Sequence, residues 1–232
     1  MGSRKWSRLI GITFYFLLLT FYLSGCAPRV APPPLYKDQE LSLDEIIRKV
    51  SGDIEILKAI ADIKIERDNE LYDSVNASVI IKRPGWMHVR IYKFGMLVRD
   101  FVVRDGELFV LTGKGDARLK EFAREFYNSV FWWDDIKDAF MYVSAEEPVY
   151  VIRKDNKTVY VDRTTLLPLR QEIRALNRDM YILYEEPKDD GGFWYPSLLK
   201  IYAGDFKFTI RVNRLVKNPA LGEFDFKVPA QS

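Results

Sequence analysis

The sequence predicts a mainly β fold, within the α+β class, in which one strongly curled antiparallel sheet is covered on its concave face by helices. Alternation of apolar and polar residues, the period of a half-buried strand, occupies most of the chain after residue 56. Glycine- and proline-containing breaks separate these runs at the spacing of hairpins. Helical spacing is confined to a few segments. We count about eleven strands in the order helix, sheet, helix, sheet.

The first element after the N-terminal region is a short amphipathic helix. Ser42 is placed as its N-cap, Glu45 stands three residues later as in a capping box, and Gly52 ends it. The apolar residues share one face at helical spacing: Leu43, Ile46, Ile47 and Val50. We expect this helix to pack on the sheet.

The first half of the sheet is predicted as a meander of five strands, near 57–66, 74–82, 86–93, 96–104 and 107–111. A second helix is predicted over 118–130, and the acid-rich segment 134–140 is interpreted as further helical turns beginning at Asp134 and Asp135. Six strands follow, near 148–154, 157–162, 168–176, 179–185, 197–203 and 205–213. Added strands or loops are expected near 134–150 and 186–196; the second of these segments is interpreted as a polar loop, with a turn between strands at Asp189–Gly192.

The N-terminus has the pattern of an export signal. Three positive charges, Arg4, Lys5 and Arg8, precede an uncharged apolar run over 10–23. Leu23, the last residue of this run, begins the sequence Leu-Ser-Gly-Cys at 23–26. This sequence resembles the bacterial lipobox, in which the cysteine becomes lipidated and is the first residue of the mature protein. We therefore predict a signal peptide over 1–25 and a lipid attached at Cys26; an uncleaved anchor or a buried free thiol are the alternatives.

Residues 26–40 contain four prolines and are predicted to tether the lipid to a domain at 41–232. The residue after the cysteine is Ala27 rather than the aspartate that tends to retain lipoproteins in the inner membrane of enteric bacteria. Localisation to the outer membrane is therefore favoured, with the domain facing the periplasm. The full chain has a formal net charge of +2, and loss of the three leader charges leaves −1. Such a near-neutral domain argues against nucleic acid as a partner.

The inventory of reactive residues does not favour an enzyme. His88 is the single histidine and Cys26 the single cysteine, which is too few for a metal site built on these residue types. No glycine-rich phosphate loop follows a strand, and "TGKGD" at 112–116 lacks the required spacing. We expect His88 to be a satisfied strand residue, and we predict no catalytic residue, metal or cofactor.

An aromatic-rich interior under a curled sheet instead predicts a hydrophobic pocket suited to an acyl chain. The expected lining consists of inward residues of the first sheet and of the second helix: Ile63, Val79, Ile91, Phe101, Leu119, Phe122 and Phe126. The alternative is that most aromatic side chains simply fill the core.

Between residues 41 and 230 the chain resembles the LolA/LolB superfamily, the carriers and receptors that deliver lipoproteins to the bacterial outer membrane. The resemblance rests on the order of three features: the Arg83-Pro84 turn, the Asp105-Gly106 hairpin and the segment from Asp162 to Pro168. It implies an incomplete eleven-stranded barrel with a helical lid over an apolar cavity. It also implies acylated lipoproteins or a periplasmic carrier as partners, and the anchor at Cys26 favours the receptor side.

The receptors of this family have an exposed apolar loop that helps to place cargo in the membrane. The segment in the corresponding position between strands carries Phe94, Met96 and Leu97 around Gly95. It is interpreted either as such a membrane or cargo loop or as a turn buried against the helices.

A second hypothesis belongs to a different class of function. The same shell could serve as a structural or assembly lipoprotein of the envelope that binds a protein partner rather than a lipid. The contact surface would then be an exposed sheet edge or the segment "GGFWYP" at 191–196.

Overall fold

The structure of the chain is a computed structural model that describes residues 31–115, 117–174 and 179–228. The predicted signal peptide and Cys26 lie outside these residues. Two helices are described, α1 (Leu43–Ser51) and α2 (Ala117–Val130). The strands are β1 (Ile56–Arg67), β2 (Glu70–Lys82), β3 (Trp86–Lys93), β4 (Met96–Arg104), β5 (Glu107–Thr112), β6 (Phe140–Val143), β7 (Val149–Lys154), β8 (Lys157–Asp162), β9 (Pro168–Ile173), β10 (Met180–Asp190), β11 (Phe193–Ala203) and β12 (Phe206–Lys217).

All twelve strands belong to one antiparallel sheet with the order β5-β4-β3-β2-β1-β12-β11-β10-β9-β8-β7-β6. The long strands β1 and β12 pair near its centre, where Ile63 lies opposite Ile210. The edge strands β5 and β6 do not pair with each other, so the sheet stays open. The predicted fold class, a single curled antiparallel sheet forming an incomplete barrel, is confirmed.

The segment 131–139 is not the helical extension that the sequence predicted. It forms turns and leads into β6, a four-residue edge strand that brings the total to twelve, one more than the predicted count of about eleven. The Asp134 carboxylate accepts hydrogen bonds from Arg83 Nε at 3.1 Å and from Tyr127 Oη at 3.1 Å. Asp138 has a φ of 63°, which an α-helix does not allow. Tertiary partners therefore override the local helical signal of the acidic pair.

Near 186–196 the structure has the added strand residues rather than a polar loop, and the predicted turn at Asp189–Gly192 is confirmed. β10 runs to Asp190 and β11 starts at Phe193, and Pro187 lies opposite Pro196 in the register. The reversal is confined to Gly191 and Gly192, whose φ values of 62° and 90° favour glycine.

Helix α1 has the predicted boundaries. The Ser42 side chain accepts from the Glu45 N–H at 3.4 Å, and the Glu45 carboxylate accepts from the Ser42 N–H at 2.8 Å. These hydrogen bonds to Ser42 lower the pKa of Glu45. Ile46, on the apolar face of this helix, is fully buried.

Helix α2 packs on the inner face of the sheet. Its Ala123 and Tyr127 belong to one buried cluster with Val79, Val89 and Phe101 of β2, β3 and β4. The predicted helical cover of one sheet face is thus present. Neither described helix is long and apolar enough to span a membrane.

Candidate functional site

A cavity of about 2080 Å³ lies along the inner face of the sheet. Its wall is built by β1–β4 and β9–β12, by the inward side of α2, by the end of α1 and by the turn after α2. Because strand side chains alternate between faces, every second residue of β1 from Leu57 to Ile65 faces this space.

All seven residues predicted for a ligand pocket line this cavity: Ile63, Val79, Ile91, Phe101, Leu119, Phe122 and Phe126. Four of these residues lie on the sheet and three on α2, and the structure places both groups in one wall. Phe122 of α2 stacks on Phe126 with ring centroids 6.2 Å apart, and it contacts Phe208 of β12 at 5.1 Å. The helix thus presents an aromatic surface to the sheet across the cavity.

Several aromatic wall residues were missed by the sequence analysis: Trp132, Trp133, Tyr184, Phe193, Trp194, Tyr195, Phe206 and Phe208. For Phe206 and Phe208 the signal was available, because they alternate with polar residues along β12. Trp132 and Trp133 lie in an irregular turn, where no periodicity indicates which way a side chain points.

A buried polar cluster lies at the contact of α2 with β9 and β10. The Tyr184 hydroxyl donates to the Ser129 carbonyl at 2.8 Å, and Gln171 Nε2 donates to the same carbonyl at 3.1 Å and to the Tyr184 hydroxyl. Burial raises the pKa of Tyr184 above its usual range, so the phenol stays neutral and a donor. The cluster fixes the end of α2 against the sheet.

Two ionic contacts hold the turn that carries the two tryptophans. Arg83 pairs with Asp134 at 2.7 Å through its Nη2 atom. Lys157, whose side chain is 7% exposed, donates to Asp135 at 2.7 Å and to the carbonyls of Asn128 and Trp132 at 3.2 and 3.3 Å. Burial lowers the pKa of Lys157, although the nearby Asp135 opposes that shift.

Charged residues of the cavity wall include an ion pair near the β3–β4 hairpin. Lys93 donates to Asp73 at 2.7 Å, and this hydrogen bond lowers the pKa of Asp73. Arg99 of β4 is exposed and donates to the Lys114 carbonyl at 2.7 Å. The wall therefore combines a mainly apolar surface with a few charged side chains.

The predicted loop residues lie on the surface rather than beneath the helices. Phe94 is 89% exposed, Met96 64% and Leu97 40%. Leu71 and Tyr72, near the start of β2, are 62% and 66% exposed. The structure therefore has apolar side chains facing solvent at this hairpin, as the first of the two interpretations requires.

His88 is not part of the cavity wall. It is 2% exposed, its Nε2 atom lies 2.7 Å from Asp100 Oδ1, and its ring lies beside that of Phe226 from the C-terminal segment. The adjacent acidic residues of the chain have structural partners: Asp134 accepts from Tyr127 and Asp135 from Lys157, and Asp189 accepts from the Gly192 N–H in a hairpin turn. In the described part of the chain, no three histidine, cysteine or acidic side chains are grouped to hold a metal.

The comparisons with known proteins identify the fold. No family model matches the sequence, and no curated protein matches it. A LolA superfamily protein from Nitrosomonas europaea matches with a TM-score of 0.60 and 12% identity over 81% of this chain and 99% of its own. A DUF1329 family protein from Desulfovibrio piger gives a TM-score of 0.58 and 12% identity over 80% and 95%.

A third solved structure is a domain from Vibrio parahaemolyticus whose name assigns it to outer-membrane lipoprotein sorting. It matches with a TM-score of 0.50 and 10% identity over 79% of this chain and 94% of its own. The chain thus has a LolA/LolB-like fold, as the resemblance in its sequence predicted. At these identities the likeness concerns the fold.

Proposed function

We propose that this protein is an outer-membrane lipoprotein that binds acyl chains, free or attached to proteins, in its apolar cavity. Its role would be that of a LolB-like receptor in lipoprotein localisation. The observation that carries this proposal is the cavity of about 2080 Å³, walled by the aliphatic and aromatic side chains of the sheet and of α2.

The volume and the chemistry of the wall both favour a long apolar ligand. Pockets for drug-sized ligands usually measure about 300–1,000 Å³, so this space accommodates a larger molecule. Burial of each methylene group contributes roughly 0.8 kcal/mol, and a long chain therefore gains its affinity from many small contacts. Binding and release of this kind require no covalent step, which agrees with a role other than that of an enzyme.

The rest of the chain supports this role through its proposed attachment to a bilayer. Lipidation at Cys26 would anchor the protein, and the proline-rich segment would let the domain stand off the membrane. The hairpin with Phe94, Met96 and Leu97 would contact the bilayer or the cargo, since it exposes apolar side chains to water.

A binding measurement on the soluble domain tests the proposal. The chain from residue 26 with Cys26→Ser is titrated with a fluorescent fatty-acid analogue. Phe122→Glu places a charge inside the cavity and should abolish binding, because a desolvated carboxylate is costly. Phe140→Glu is the matched control on a side chain that is 68% exposed, and it should bind like the parent. Equal binding by both variants, with thermal unfolding showing both folded, would refute the cavity as the site.

The alternative role in assembly has one supporting observation. The edge strand β6 has one unpaired side and exposes Phe140 and Val143, with Val143 43% exposed. A protein partner could add a strand there. By contrast, Trp194 and Tyr195 of "GGFWYP" line the cavity. Purification of a stoichiometric protein partner without any bound acyl chain would favour this alternative.

A further inference from the structure

The charged side chains of the cavity wall are mostly basic. Six of them are basic and three are acidic, whereas the chain from residue 26 onwards has a formal net charge of −1. Each acid forms an ion pair with a basic residue of the same wall, in the pairs Asp53–Lys217 at 2.9 Å, Asp73–Lys93 at 2.7 Å and Glu125–Arg124 at 3.0 Å. Three positive charges of the wall therefore have no carboxylate partner among the described residues.

The three remaining cations of the wall are Lys49, Arg99 and Arg174. Lys49 lies near the end of α1, and its ammonium is 4.9 Å from the centroid of the Tyr36 ring. Arg99 belongs to β4, four residues after the turn at Gly95, and Arg174 directly follows β9. Because neighbouring strands are antiparallel, the β3–β4 and β9–β10 turns lie at the same end of the sheet, opposite to α1. Two of the three cations thus share one end of the cavity.

Contacts of the main chain and of the neighbouring strands hold both arginines in place. Arg99 lies opposite Ile91, another residue of the cavity wall, and its Nη1 atom donates to the Lys114 carbonyl at 2.7 Å. The Arg174 N–H donates to the Asn156 carbonyl at 2.8 Å, and Asn156 Nδ2 donates to the Arg174 carbonyl at 2.7 Å. A guanidinium has five N–H donors. Both arginines are exposed, so an anion at this end of the cavity meets two positive charges with donors to spare.

A mainly apolar wall with a positive end is complementary to an amphiphile that has an acyl chain and an anionic head group. The planar guanidinium matches the oxygens of a phosphate or a carboxylate. An exposed ion pair contributes little by itself. An acyl chain buried in the cavity would hold the head group close to the arginines, however, which makes the second contact effectively intramolecular.

We propose that the acyl ligand of this cavity carries an anionic head group, a phosphate or a carboxylate, which binds at the end of the cavity marked by Arg99 and Arg174. This inference rests on the proposed function, and it specifies the chemical class of the ligand. A neutral acyl glyceride of equal chain length should bind more weakly, because it leaves both arginines without a counter-charge.

Three ligands with the same acyl chain test the inference. The Cys26→Ser domain is titrated, below the concentrations at which the ligands aggregate, with 1-lauroyl-lysophosphatidylglycerol, laurate and 1-monolauroylglycerol. At low salt an anionic ligand should bind about three- to twentyfold more tightly than the neutral one, the range of two exposed ion pairs. This ratio should shrink in roughly 1 M salt, where the Debye length is about 3 Å. A preference for either anion supports the inference, and the stronger of the two distinguishes phosphate from carboxylate.

Variants of the arginines locate the head group. Arg99→Gln and Arg174→Gln should each reduce the preference for the anionic ligand, and the double variant should bring it close to one without weakening the neutral ligand. Arg214→Gln is the matched control, since it removes the same charge from an exposed residue of β12 outside the cavity wall. Lys49→Gln removes the cation at the opposite end and should keep the preference.

The comparison of ligands on the unmutated residues does not depend on the folding of a variant. Equal affinities for the anionic and neutral ligands would overturn the inference and leave acyl binding intact. A loss of preference in Arg214→Gln as large as in the double variant, or a loss in Lys49→Gln alone, would also overturn it, because the head group would then not bind at the arginines. Failure of all three ligands to bind would refute the proposed function, and the inference with it.

Discussion

Replacing Lys157 tests how much its buried hydrogen bonds contribute to the free energy of unfolding. Its ammonium donates to the carbonyl of Asn128 in the last turn of α2, to that of Trp132 just after the helix, and to Asp135. Lys157→Met retains most of the apolar stem but leaves the Trp132 carbonyl buried without this donor. A lost hydrogen bond to a charged group contributes about 1.5–3 kcal/mol, and an unsatisfied buried acceptor adds about 1–3 kcal/mol. Because such contributions overlap, we expect a loss of about 2–4 kcal/mol in the free energy of unfolding.

The matched control separates the carbonyl contacts from the ion pair. The Asp135 side chain is 42% exposed, so Asp135→Asn leaves a group that water can solvate. It should cost less than about 1 kcal/mol. Urea unfolding followed by tryptophan fluorescence measures both, and thermal unfolding should shift by about 2–4 °C per kcal/mol. If Asp135→Asn destabilises as strongly as Lys157→Met, the carbonyl contacts at the end of α2 are not the main role of Lys157.

Two further predictions concern pH and the membrane. Burial raises the pKa of Tyr127 to about 12, above an unfolded value near 10. Its contribution to the free energy of unfolding is therefore complete below pH 10 and is lost between pH 10 and 12. Tyr127→Phe should reduce this loss of stability, and an unchanged dependence of the unfolding free energy on pH in alkaline urea titrations would contradict the raised pKa of Tyr127. Phe94→Ser combined with Met96→Ser should weaken the binding of the Cys26→Ser domain to phosphatidylglycerol-containing vesicles several-fold, as measured by co-sedimentation. The control Phe224→Ser, on a side chain that is 64% exposed outside the hairpin, should not weaken it. Equal losses of binding by the two variants would show that this hairpin has no special role at the membrane.

Strand alternation made much of the cavity predictable. A period of two fixes which residues share a face, so Ile63, Val79 and Phe101 could be assigned to one side without knowledge of the fold. Helical spacing did the same for Phe122 and Phe126 of α2. These assignments depend only on local geometry, which a sequence displays directly.

The features that escaped prediction depend on contacts between distant residues. Asp134 resembles a helix start, yet its carboxylate pairs with Arg83 from the β2–β3 turn. Pro187 and Pro196 resemble loop residues, yet they lie opposite each other in β10 and β11, where neither needs a backbone donor. The orientation of Trp133 follows from such tertiary contacts, and no local pattern displays it.

Native mass spectrometry of the Cys26→Ser domain shows whether the cavity holds acyl chains. This variant has no lipid anchor, so an added mass cannot arise from acylation at that residue. After incubation with 1-palmitoyl-lysophosphatidylcholine, we predict a bound lipid that Phe122→Glu loses and Phe140→Glu keeps. A spectrum containing only the unliganded mass, at every lipid concentration below the micellar limit, would contradict the account.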